Sequence, residues 1–421
     1  MPRATTRPRI RGGIAPPEPG LTPEAMLARA RALRPMLVAN QDRCEAEGRV
    51  SQEVNDQLVK AGLYRIVQPR RFGGYEFDIP TFFKVMMEVA RGCPETGWVL
   101  ALTAGHPLLL AAFPAQAQVE AYGVDGEFRC PASFNPPGQA VAVDGGYEIS
   151  GAWVSASGID IATHFIGSAI LPPEGEDGRP TPLQMILERG QFEIVDDWKV
   201  MGMQGTGSKQ VRAKAAFVPR HRTVESVGAA RGSEAIPAAR VYDNPMYQGR
   251  ILPFLIGEAA AVAVGAARGA LDLYEQCLKG KRSMFPPHLE RTEDPEFQHH
   301  YGAALTLIAT AEAALVRAGE EFMDYAREAA EGGAPFDDER ELRLTLIEQH
   351  CVELAWQAMD LIYRTAGTSA SAKQGAAIGR IFRNMAVINT HPALQLDRTY
   401  LAAAKARFKA AAEQAVTPYS K

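Results

Sequence analysis

The feature that most constrains this chain is a change of hydrophobic period along its length. From about Phe128 to Val227, short β-branched and aromatic runs alternate with turn residues, while the stretches on either side carry apolar residues at helical spacing. Gln139–Val143 and Tyr147–Trp153 flank Asp144-Gly145-Gly146, a strong hairpin signal, because Asp and Gly accept the positive φ of a tight turn. Further strands are predicted at His164–Leu171, Leu183–Leu187, Phe192–Trp198 and Gln210–Val218. Helices, then strands, then helices predict an α+β chain with a small antiparallel β domain between two helical regions.

The flanking regions can be read further. Thr22 is placed to cap a first helix, with Pro23 at its first position, and the helical pattern runs through Val59. Tyr64–Pro69 and Phe72–Tyr75 form a loop, a second helix starts near Pro80 and a third near Thr96, and Asp125-Gly126 ends the region. Beyond the strands, Ile251–Cys277, Pro295–Ala330, Asp337–Thr365 and Leu394–Glu413 predict the long helices of a four-helix bundle. The acidic run Asp337-Asp338-Glu339 suits a helix N-terminus. The predicted division is an arm over 1–21, a helical domain over 22–125, a β domain over 126–228, a linker over 229–244 and the bundle over 245–421.

Composition excludes several classes. The 421 residues are 46% hydrophobic and 22% charged, with a formal charge of −4, which gives no general reason to bind nucleic acid or an anionic membrane. The longest apolar stretch, near Ile251–Leu271, is broken by Gly257, Glu258, Gly265 and Arg268, so no membrane span is expected. Met1–Gly20 lacks the apolar core of a secretory signal. Five cysteines without a CxxC pair argue against a disulfide framework or a metal site and suit the cytoplasm.

Several motifs, in order, resemble the acyl-CoA dehydrogenase superfamily over nearly the whole chain. Phe72-Gly73-Gly74-Tyr75 is similar to its early Tyr-Gly-Gly loop, and Trp198 to Ser208, followed by Phe217-Val218-Pro219, to its mid-domain Gly-Met-Arg-Gly-Thr segment and terminal Val-Pro. The resemblance implies a helical domain, a central antiparallel β-barrel or sandwich, a C-terminal four-helix bundle and a homotetramer. The chain departs from the true dehydrogenases at Tyr363-Arg364-Thr365-Ala366-Gly367-Thr368, where Ala366 stands in place of the carboxylate that takes the substrate proton. Glu258 is the one acid near the alternative position on an earlier helix.

The departures resemble the two-component flavin-dependent monooxygenases, such as the phenol and 4-hydroxyphenylacetate hydroxylases. On that resemblance, His106 in Gly105-His106-Pro107 and His391 in Asn389-Thr390-His391-Pro392 are catalytic and substrate-side, and Ser133 is a further pocket residue. Gly151–Gly158 resembles the flavin-facing strand, which assigns Trp153, Ser155 and Ser157 to the cofactor, with Ser157 near flavin N5. Arg250 matches a flavin-site arginine, and Thr206, Ser208, Lys209 and Arg282 are the candidate phosphate donors. The family implies reduced FMN or FAD delivered by a separate reductase, O2 as co-substrate, and hydroxylation of a phenolic or other aromatic ring through a C4a-hydroperoxyflavin. A dehydrogenase with a displaced carboxylate is the alternative.

Physical chemistry supports those residue types. A hydroxyl can accept the N5–H of a reduced flavin. A phenol ionises near pH ~10, so a base that takes its proton activates the ring, and histidine, with a pKa of about 6.5, is suited to do so near neutrality. No Gly-x-Gly-x-x-Gly follows a strand, so electrons must come from a partner. Taken as residues alone, Trp98 and Trp153 fit a core better than a cofactor wall, Ser157 also fits a turn beside Gly158, and Arg250 a helix start.

Overall fold

The computed structural model of the protein describes residues 13–173, 179–225 and 242–416. Most of the predicted arm (1–21) and of the predicted linker (229–244) therefore lies outside the described residues.

The N-terminal region folds as helices with side-chain caps. Thr22 Oγ1 accepts from Ala25 N at 3.2 Å and caps α1 (Pro23–Ala39), with Pro23 in the first turn. α2 (Gln41–Glu47) ends at Gly48, whose φ of +61° is the left-handed conformation a side chain resists. Ser51 caps α3 (Gln52–Lys60) and Asp78 caps α4 (Ile79–Gly92). α5 (Pro94–Gly105) is buried almost all round, as its continuous apolar sequence requires. α6 (Pro107–Leu110) and α7 (Ala115–Tyr122) complete this layer.

Seven strands then form one sheet: β1 (Ala132–Val143), β2 (Gly146–Ala156), β3 (His164–Leu171), β4 (Thr181–Glu188), β5 (Glu193–Val195), β6 (Lys209–Pro219) and β7 (Thr223–Glu225). Their order is β5-β6-β2-β1-β3-β4-β7. The predicted hairpin is present: Val143 pairs with Gly146, and Gly145 has φ +77°. The expectation of a wholly antiparallel domain is corrected, because β1 and β3 pair in parallel. After the β1–β2 hairpin the chain crosses to the far side of β1, so β3 must run the same way as β1. No local pattern distinguishes pairing on β1 from pairing on β2. The sheet has its own small core, built around Ile149, Trp153, Phe165, Leu187 and Val211.

The C-terminal region comprises α8 (Ile251–Leu278), α9 (Pro295–Ala330), α10 (Asp338–Thr365), α11 (Thr368–Ser371), α12 (Ala377–Ile388) and α13 (Leu396–Val416). Asp337 caps α10 through Arg340 N at 3.0 Å. α8 is the inner helix, packed on α4 and α5 on one side and on α9 and α10 on the other. Buried Glu88 on α4 ties these layers together by pairing with Arg34 of α1 and with Arg268 of α8 at 3.2 Å. By length and composition alone α8 and α9 could each cross a membrane, contrary to expectation, but 78% of the apolar window of α8 is buried inside the protein.

Candidate active site

The site forms where α5, the end of β2 and the loop before β6 meet. That loop, Gly202-Met203-Gln204-Gly205-Thr206-Gly207-Ser208, makes one tight turn between two left-handed residues, Met203 and Gly207. It is clamped by helices on three sides. Asn384 Oδ1 on α12 accepts from Met203 N at 2.6 Å, Glu95 Oε1 on α5 accepts from Gly205 N at 2.8 Å, and Cys44 of α2 lies behind Gly205. A Cβ on Gly205 would stand 2.2 Å from Cys44 Sγ, so only glycine lets the loop approach α2 this closely.

The clamp aligns three buried hydroxyls. Trp98 Nε1 donates to Ser157 Oγ at 3.1 Å; Ser157 and Ser208 hydroxyls are 2.7 Å apart; Ser208 and Thr206 hydroxyls are 2.6 Å apart; Thr206 Oγ1 donates to Met203 O at 2.7 Å. Each hydroxyl has one proton, so the ends fix the direction of the whole chain. Thr206 spends its proton on Met203 O, Ser208 must then donate to Thr206, and Ser157 to Ser208. Ser157 takes the indole N–H with one lone pair and keeps the other for an incoming N–H or O–H.

His391 completes this end of the site. Its ring packs edge-on against Trp98, with centroids 5.7 Å apart. It is accessible to water yet crowded enough that desolvation lowers its pKa, the behaviour of a side chain set in a cleft. Nδ1 accepts from Ala393 N at 3.3 Å, so the neutral ring carries its proton on Nε2 and presents a donor.

His106 is two turns along from Trp98, about 12 Å by helix rise. It is buried, and no contact joins it to the His391 cluster among the described residues. Nδ1 lies 2.6 Å from Cys130 O, an acceptor only, so Nδ1 holds a proton and Nε2 a lone pair in the neutral ring. Nε2 is 3.6 Å from Glu258 Oε1. Glu258 is fully buried, and neither of its oxygens has a hydrogen-bond partner among the described residues. Burial raises its pKa, with His106 opposing the rise. The absent side chain of Gly105 makes room, since a Cβ there would meet Glu258 Oε2 at 2.2 Å. Ala366, in place of the dehydrogenase acid, is buried at the end of α10.

Other expected site residues lie elsewhere. Trp153 is wholly buried in the core of the sheet, donates to Ser168 O at 2.8 Å and stacks near Phe165, so it is no cofactor wall. Strict alternation would set Trp153, Ser155 and Ser157 on one face of β2, so their different environments require that the alternation be broken. A break in register at Trp153/Ala156, with Ser155 at φ +61°, leaves Ser155 exposed and turns Ser157 into the site. Ser133 Oγ donates to Val154 O at 2.6 Å, beside the same strand end. Thr206 and Ser208 are engaged in the hydroxyl chain and are not open phosphate donors. Lys209 pairs with Asp160 at 3.0 Å. Arg250 occupies the N-cap position of α8 without a side-chain capping bond and pairs with Asp338 and with Glu341 at 3.1 Å, which offsets its charge. Arg282 is exposed, its Nε donating to His288 O at 2.7 Å and lying 4.0 Å from Glu290 Oε1. Trp98, Glu95 and Glu258 carry more of the geometry than their sequence signals suggested; in each, a polar group within an apolar helix was the available clue.

The residues fit a reduced flavin. The open lone pair on Ser157 suits its N5–H, and the indole of Trp98 with the imidazole of His391 set edge-on to it borders that acceptor. Two other concave surfaces, a hollow of about 700 Å³ on α9 around Leu305 and Ala313 and a groove of about 570 Å³ around Arg34, Arg91 and Lys279, include none of these residues.

Comparison with known proteins agrees with this geometry. Residues 24–122 match the acyl-CoA dehydrogenase N-terminal domain and residues 258–396 the acyl-CoA dehydrogenase C-terminal domain. The oxygenase subunit HsaA of a flavin-dependent monooxygenase from Rhodococcus jostii is 30% identical over 384 residues, covering 89% of this chain and 96% of that protein. The oxygenase component of the FADH(2)-dependent resorcinol hydroxylase from Rhizobium sp. is 35% identical over 221 residues, 52% of this chain and 53% of that one. The crystal structure of the HsaA monooxygenase from M. tuberculosis superposes with a TM-score of 0.83 at 27% identity, covering 92% of this chain and 98% of that one. The chain thus belongs to the oxygenase subunits of the flavin-dependent monooxygenases, which are built on the acyl-CoA dehydrogenase fold.

Proposed function

We propose that this protein is the oxygenase component of a two-component system that hydroxylates a phenolic ring, taking reduced FMN or FAD from a separate reductase and O2 as co-substrate. The bound flavin would supply the electrons and the oxygen-activating carbon. The observation that carries the reading is the one-way hydroxyl chain that ends in an open acceptor at Ser157. His391, with Nε2–H outward, donates a hydrogen bond to the leaving or transferring oxygen. His106, with a lone pair on Nε2, is the base for the phenol proton, and Glu258 can hold a proton beside it. Ser133, whose hydroxyl proton goes to Val154 O, keeps its lone pairs for a substrate hydroxyl. The burial of Trp98 and Ser157 keeps water from the flavin edge.

Assembly as a homotetramer and residence in the cytoplasm belong to the same proposal. The extensive exposed face of α9 and five free cysteines support them. A dehydrogenase reading is disfavoured by Ala366 and by the position of Glu258 against an imidazole. The test is anaerobic reduced flavin with the purified protein, mixed with O2 and a panel of phenols. Phenol-dependent oxygen uptake with hydroxylated product is expected; bleaching of tightly held oxidised FAD by an acyl-CoA would replace the proposal with the dehydrogenase.

A further inference from the structure

Cys44 and Cys93 look unrelated in sequence, yet the fold brings them together. Cys44 on α2, Cys93 at the cap of α5 and Glu95 in its first turn place two sulfurs and a carboxylate oxygen within 4.8 Å of one another. Their exposures are 4%, 1% and 1%. The surroundings are polar for a pair of packed thiols. Thr96 Oγ1 donates to Cys93 Sγ at 3.3 Å, and Cys44 Sγ donates to Gly205 O at 3.5 Å. Glu95 uses Oε1 for Gly205 N, while its buried Oε2 has no hydrogen-bond partner among the described residues, a costly arrangement unless a ligand satisfies it.

We propose that Cys44, Cys93 and Glu95 form a binding site for one thiophilic divalent ion of the zinc or cadmium class. Two sulfurs and one oxygen supply three corners of a tetrahedron, and sulfur selects soft d10 ions over magnesium or calcium. Capture forms two metal–sulfur bonds and one metal–oxygen bond and releases to solvent both thiol protons and, below the pH at which Glu95 ionises, the carboxyl proton as well. Bonds of about 2.3 Å to sulfur put the two sulfurs about 3.8 Å apart, so the ligand atoms need shift by no more than about 1 Å. The ion sits behind Gly205, whose N–H and carbonyl both contact its ligands. Occupancy therefore bears on Thr206 and Ser208; that consequence rests on the proposed function, whereas the site does not.

The experiment uses the full chain, thiols reduced and metals removed, titrated with Cd2+ without oxygen while the ultraviolet sulfur-to-cadmium charge-transfer band is followed. About one ion per chain is expected, with the band lost in Cys93→Ser, affinity reduced about tenfold or more in Glu95→Gln, and no change in Cys277→Ser. In the unaltered protein, Cd2+ should shield Cys44 and Cys93, but not Cys277, from alkylation read by peptide mass spectrometry. This second readout holds even where a cysteine variant fails to fold. Absence of the band, its survival in Cys93→Ser, its dependence on Cys277, or formation of a Cys44–Cys93 disulfide in place of metal uptake each overturns the site. None of these outcomes depends on hydroxylation.

Discussion

Replacing Ser157 by alanine tests the direction of the hydroxyl chain. Reduced flavin offers N5–H as a donor, whereas oxidised flavin offers an N5 lone pair. In the native chain Ser157 can accept a donor at no cost to its neighbours. To meet an acceptor it must withdraw its proton from Ser208, losing one hydrogen bond of about 0.5–1.5 kcal/mol. The native site should therefore favour reduced over oxidised flavin by about two- to tenfold from this contact alone, since about 1.4 kcal/mol corresponds to one decade. Ser157→Ala removes the contact and the preference together. It also leaves the buried Trp98 N–H, now 3.1 Å from Ser157 Oγ, without an acceptor, costing about 1–3 kcal/mol of stability. Anaerobic titrations with both flavin forms, and urea unfolding, measure the two effects. An unchanged reduced-to-oxidised affinity ratio would refute the polarity argument, and full stability would refute the buried Trp98–Ser157 bond.

Other substitutions probe separate parts of the site. His391→Gln should keep more of the native coupling than His391→Ala, because an amide donates but cannot act as base; equal peroxide release from both would count against a donor role. Glu258→Gln, which fills the same volume, should leave stability nearly unchanged, while Glu258→Ala opens a cavity beside the His106 ring and costs about 1–3 kcal/mol by urea unfolding; similar midpoints for the two variants would oppose their close packing. Burial raises the Glu95 pKa to about 8, with Cys93 adding to the rise. The unfolded carboxyl, near ~4.3, loses its proton first, so this group's contribution to stability falls as pH rises between about 4.3 and about 8, by up to about 1.4 kcal/mol per pH unit. Glu95→Gln should thus gain on the native protein across that window, and parallel pH–stability curves would contradict it. Trp153→Phe should reduce stability while sparing flavin affinity; a selective loss of flavin binding would return Trp153 to the site.

Legibility in the sequence followed the range of the interactions. Local devices were readable: the Thr22 and Asp337 caps, the Asp144-Gly145 turn and the full span of α9 each depend on neighbours within a few residues. α12 was not anticipated, because Gly375 precedes it and Gly379 lies within its first turn, and glycine weakens a helical pattern. The parallel β1–β3 pairing and the meeting of Cys44 with Cys93 are long-range events with no local trace. Within the site, Ser157 and His391 were singled out through resemblance and are brought together by Trp98. Trp153 was misplaced because a resemblance fixes a strand's position but not which of its residues the Ser155 bulge turns outward.

The loop clamp has a consequence for how the protein is made. Its anchors are Cys44, Glu95 and Asn384, and His391 borders the cleft, so helices from both the first and the last helical regions must be present before the pieces can meet. An unfinished chain ending before α12 lacks both the Asn384 anchor and the imidazole. Such a fragment holds the loop by two of its three anchors, so the full alignment of Thr206 and Ser208 with Ser157 waits for α12.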